Sequence, residues 1–139
     1  MIFDSLRRKF VTLTPEEWVR QHYLHYIIEV KQYPSALIAV EQQISVNGQL
    51  KRCDAVLYDN QMTAVAIFEF KAPHVAISQD TFDQAAVYNS HLQLQYFFVS
   101  NGIDHYFAEV NQADRSYRIE KNIPDYVQLT EQIKKSRID

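Results

Sequence analysis

The chain has 139 residues, 47% of them hydrophobic and 22% charged, which suits one ordered domain around a single core and excludes extended disorder. A net charge of −3 excludes holding nucleic acid by bulk charge, so any such contact is local, at clusters such as Arg7-Arg8-Lys9, Lys51-Arg52 and Lys134-Lys135 with Arg137. Two glycines, Gly48 and Gly102, leave no P-loop or Rossmann phosphate cradle and hence no nucleotide-driven motor in this chain, and a lone Cys53 leaves no intrachain disulfide.

No run approaches the roughly 18 apolar residues of a membrane span. The amino-terminal residues lack the apolar stretch and small-residue cleavage site of a signal peptide, so the expected compartment is the cytoplasm.

Thr14-Pro15-Glu16-Glu17 is the first strong local signal. Thr14 suits a helix cap, Pro15 the first helical position, and Glu17 the return arm of a capping box. Val19, Tyr23, Ile27 and Val30 then recur at helical spacing, predicting a helix from Pro15 to Lys31. Leu37 to Val46 and Lys51 to Tyr58 read as strands joined at Asn47-Gly48, a turn that favours positive φ. Asp59-Asn60 makes a second turn, and Thr63 to Lys71 a third strand whose run Ala64-Val65-Ala66-Ile67-Phe68 suits burial on both faces. Pro73 ends it. A helix from Gln79 to Leu92 follows, with Phe82, Ala85, Ala86 and Asn89 as its packing face. Gln95 to Ser100 reads as a central strand, Tyr106 to Val110 with Ser116 to Glu120 as a hairpin, and Pro124 opens a last helix. The expectation is one α/β domain over residues 1–139.

The third strand leaves on Glu69-Phe70-Lys71-Ala72-Pro73. Period two sets Glu69 and Lys71 on one face and Phe68 and Phe70 on the other. Asp54, in the preceding strand, can come alongside Glu69 by cross-strand pairing. Two such acids repel unless a cation neutralises them, and Mg²⁺ favours one or two carboxylates with waters and a phosphate oxygen. The carbonyl of Phe70 is a further candidate ligand. Glu41 reads as solvated, His22 and His25 as structural, and Cys53 as an inert strand residue.

Asp54 followed by Glu69-Phe70-Lys71 resembles the PD-(D/E)xK phosphodiesterase superfamily. Gln84-Ala85-Ala86-Val87-Tyr88 is similar to the QxxxY helix of RecB-like nucleases and type I restriction R subunits. The whole run most resembles the R-subunit N-terminal family over residues 11 to 126. Cys53 replaces the proline of the motif, a change that spares the aspartate.

The resemblance implies a restriction-endonuclease-like core, a mixed central β-sheet flanked by helices. It implies metal ligation by Asp54 and Glu69, water activation by Lys71, and a first-helix acid, Glu17 or Glu16, joining the metal site. Gln84 and Tyr88, four residues apart on one helix face, would touch the phosphate backbone or brace the site. The expected function is Mg²⁺-dependent endonuclease cleavage of DNA, with Mn²⁺ able to substitute. The alternative is a catalytically weak nucleic-acid-binding or protein-interaction module on the same scaffold. Subunits of a restriction complex are further candidate partners, with the chain itself a monomer or homodimer.

Overall fold

A computed structural model describes residues 1–46 and 48–138. The chain opens with a short antiparallel hairpin, β1 (Ile2–Asp4) and β2 (Lys9–Val11), followed by α1 (Pro15–Glu29). Strands β3 (Ile38–Val46), β4 (Gln49–Tyr58) and β5 (Ala64–Phe70) lead to α2 (Gln79–Leu92). Then come β6 (Tyr96–Ser100), β7 (His105–Val110), β8 (Tyr117–Glu120) and α3 (Tyr126–Ile138).

Strands β3 to β8 form one sheet in sequence order. Every neighbouring pair is antiparallel except β5 and β6, which run parallel and are joined through α2. That crossover makes the sheet mixed and sets the carboxyl ends of β5 and β6 side by side.

The helices form because their caps and buried faces agree. Thr14 Oγ1 accepts the Glu17 N–H at 3.1 Å, and Val19, Tyr23, Leu24 and Ile27 face the sheet. On the same face lie Ala55, Leu57, Phe68, Phe98 and, from α3, Leu129. Helix α2 covers the opposite face, where Ala85 and Ala86 are small enough to approach Val56, Ile67, Phe97 and Val99 closely. Full burial of one such Phe side chain contributes about 1.5–3 kcal/mol, so this two-faced burial of β5 and β6 is the main source of stability near the site.

Several boundaries differ from the sequence reading. Helix α1 ends at Glu29 instead of Lys31, because Gln32 turns the chain with φ of 61°. Gly48 has φ of 79°, as its turn demands, while Asn47 lies outside the described residues. The β1–β2 hairpin is an addition, each of its strands spanning 3 residues, too few to leave a periodic signal. Among the described residues no helix is long and apolar enough to cross a membrane.

Candidate active site

The ladder between β4 and β5 pairs Leu57 with Ala66, Val56 with Ile67 and Ala55 with Phe68. One more step would set Asp54 opposite Glu69, but the ladder stops. Asp54 Oδ2 instead accepts the Phe70 N–H at 2.8 Å, so the carboxylate takes the place of a backbone acceptor. Across in β3, Glu41, between the pairs Val40–Ala55 and Gln42–Cys53, adopts φ of 52°. Ala55 and Leu57 pack on the α1 side, yet Cys53 packs on the α2 side, so strict alternation is broken at Asp54. Such an irregularity re-aims a side chain, here into the gap between two strands.

Glu69 lies between Phe68 and Phe70, both in the α1-side core, so it points toward α2. Lys71 anchors the strand exit by donating its N–H to Ser100 O at 2.9 Å, and its Nζ stands 3.9 Å from Glu69 Oε1. Burial, then the charges of Asp54 and Glu16, push the Glu69 carboxyl up to about 7, against the lowering effect of Lys71. In an extended residue the N–H and C=O point to the same side. The Phe70 carbonyl therefore faces the Asp54 side with its N–H.

Tyr88 reaches this group from α2, its hydroxyl receiving the Cys53 thiol at 3.4 Å and donating to Arg52 O at 3.3 Å. Burial and the neighbouring Cys53 and Glu69 hold the phenol well above its usual value. Cys53 is buried, and burial raises its thiol as well. Gln84, one turn earlier, is exposed.

Glu17 goes elsewhere. Its carboxylate receives the guanidinium groups of Arg7 and Arg20 and the Gln21 amide, the last at 2.9 Å. It caps nothing and does not face Glu69; the first-turn acid whose charge bears on Glu69 is Glu16. Glu41 is likewise more than a solvated acid, with Arg7 at 2.8 Å, Arg52 at 3.1 Å and Arg20 at 3.7 Å. Burial works against its charge, but these arginines prevail and hold the carboxyl below its usual value.

Arg20 also brings Nη2 to 3.6 Å from Asp54 Oδ1 and so links α1 to the candidate pair. Sequence reasoning passed over Arg20. Its i,i+3 spacing from Glu17 was visible, but such pairs on a helix are usually solvated.

A family model described as the type I restriction enzyme R protein N terminus matches residues 15–124. The chain belongs to this R protein N-terminal family. A fragment of an HsdR subunit of a type I restriction enzyme from Vibrio vulnificus YJ016 shares the fold, with a TM-score of 0.63 at 18% identity over 89% of this chain. The present chain spans 26% of that one. No curated protein matches.

In this member of the R protein N-terminal family, Asp54, Glu69 and the Phe70 carbonyl offer oxygen donors only. That set suits a hard divalent cation that keeps several waters better than an ion seeking Cys or His. Among the described residues no three His, Cys, Asp or Glu side chains converge into a protein-only cage.

The raised Glu69 value has a stability consequence. Between its ordinary value of 4.5 and about 7, the folded chain keeps a proton that the unfolded chain has lost. The stabilisation is complete below 4.5 and disappears as pH rises through 7. Thermal unfolding with EDTA present should therefore show wild type losing stability over that window relative to Glu69→Gln. The difference should be on the order of 1 kcal/mol, discounted because the side chain is 36% exposed. Parallel curves for the two proteins would show that Glu69 titrates normally.

Proposed function

We propose that this domain hydrolyses DNA phosphodiester bonds with Mg²⁺, using Asp54, Glu69 and Lys71 as a PD-(D/E)xK site. The observation that carries the proposal is that, where the β4–β5 ladder ends, Asp54 accepts the N–H of Phe70, the residue between Glu69 and Lys71, with Lys71 Nζ 3.9 Å from Glu69. When bound, Mg²⁺ supplies Lewis acidity toward the phosphoryl oxygen and a water of lowered pKa. Asp54, Glu69 and the Phe70 carbonyl would hold it. Lys71 orients the attacking water and offsets negative charge that develops on the phosphate. Tyr88 braces β4 through Arg52 O and Cys53, and the exposed Gln84 would contact the substrate backbone.

Isothermal titration with Mn²⁺ as the probe tests the proposal. Wild type should bind, and more tightly at about pH 8 than at about pH 6, because Glu69 must lose its proton to ligate. Glu69→Ala should lose the binding. No heat of binding at either pH would remove the metal site and the hydrolytic reading with it.

One observation favours a second reading, a nucleic-acid-binding or protein-interaction module of weak activity. Arg20, 3.6 Å from Asp54, already supplies a cation to one of the two acids. The same titration separates the two readings. The match to an R-subunit family supports a place beside the motor and recognition functions of a restriction complex.

A further inference from the structure

The β1–β2 hairpin carries a surface that the proposed chemistry does not use. Phe3 and Phe10 stand opposite each other in its register, ring centroids 5.2 Å apart and nearly perpendicular at 71°. Cross-strand partners share a face, and this one is turned to solvent, leaving Phe3 49% and Phe10 65% exposed. The other face is tied down, since Asp4 is buried and bonded to Arg7, which continues to Glu17. Thus the rings are held outward by a fixed base.

At the turn end of the hairpin the charge is positive and uncommitted, with Arg8 in the turn and Lys9, opposite Asp4 in the register, on the face away from the rings. Arg7 is engaged by Asp4, Glu17 and Glu41, whereas among the described residues the exposed Arg8 and Lys9 pair with no carboxylate. In a chain of net charge −3, an unpaired basic turn on a hairpin with two exposed rings is the composition of a strand-binding platform. A cavity of about 440 Å³ runs from Lys9 and Phe10 past Thr14 and Glu16 to Arg20 and Glu41. Its far end comes beside the candidate site, because Arg20, which lines it, reaches Asp54 at 3.6 Å.

We infer that the hairpin is a docking surface for an unpaired nucleic-acid strand, with a base stacked on Phe10 and Phe3 and its phosphate backbone drawn to Arg8 at the turn. A ring can stack only on an uncovered base face, so a continuous duplex does not fit while a frayed, flapped or single strand does. The cavity leads the strand toward Asp54 and Glu69. The inference rests on the proposed nuclease reading for its purpose but not for its measurement.

The test is fluorescence anisotropy of the full chain with labelled single-stranded DNA, single-stranded RNA and blunt duplex, all with EDTA so that cleavage plays no part. Phe3→Ala/Phe10→Ala should weaken single-strand binding by about five- to 100-fold, the range that one stacked base contributes, with duplex binding little changed. Phe10→Tyr should restore it. Arg8→Ala should weaken all nucleic acids and lower the salt slope by about one. DNA and RNA arms differ only if the 2′-hydroxyl matters, and either strand bound through the rings supports the inference. Wild-type single-strand affinity in the double Phe variant overturns it. So does a change in that variant's mass by light scattering with affinity unchanged, which would make the patch a protein interface. Because EDTA is present throughout, loss of docking is read separately from loss of cleavage.

Discussion

Asp54→Asn is expected to reduce metal-dependent DNA cleavage by about 10³-fold or more while leaving the fold intact. The substitution removes one of two acidic ligands, and the remaining neutral oxygen is a poor donor to a hard cation. It retains an acceptor for the Phe70 N–H, now met by Asp54 Oδ2 at 2.8 Å, so the exit of β5 should stay in place. Arg20 loses an ionic neighbour at 3.6 Å but keeps Glu17, which limits the structural cost. Initial rates on plasmid DNA, paired with melting curves, would check this. Unchanged cleavage per folded molecule would remove Asp54 from the chemistry.

Glu17→Ala should do the reverse, destabilising the domain by about 3–5 kcal/mol with little effect on cleavage per folded molecule. The Glu17 side chain is 6% exposed and those of Arg7 and Arg20 are 14% and 9%, so the truncation strands two guanidinium groups away from water. Arg7 would retain Asp4 and Glu41, and Arg20 would retain only the longer contacts to Glu41 and Asp54. A fall in melting temperature on the order of 10 °C follows from that loss for a domain of this size. Collapse of cleavage with the melting temperature preserved would instead make Glu17 a ligand. Urea unfolding alongside single-turnover cleavage distinguishes the two outcomes.

These two substitutions mark a division between what neighbouring residues decide and what distant ones decide. The α1 cap, the α2 span and the exit of β5 on Glu69-Phe70-Lys71 were legible because each depends on residues a few positions apart. Thr14 needs only Glu17 N–H; strand period two by itself sends Glu69 away from Phe68 and Phe70. The pairing of Asp54 with Glu69 was legible only as a possibility. A hairpin register places the residues opposite each other, but the carboxylate arrives where that ladder breaks off, beside the positive-φ Glu41 of a third strand.

Residues separated in the chain settled the rest. Glu16 and Glu17 differ by about 100° around the helix, and only the packing of Val19, Tyr23 and Ile27 on the sheet determines which of them is buried against Arg7 and Arg20 and which stays exposed. Arg7 holds Glu17 and Glu41 although these lie far along the sequence, and a hairpin with 3 residues in each strand carries it there. Composition and local periodicity determined the kind of domain and where its charged strand end lies. Which acids meet, and which are neutralised by arginine instead, was decided by tertiary structure, because Coulomb energy depends on distance and desolvation between elements that no local pattern encodes.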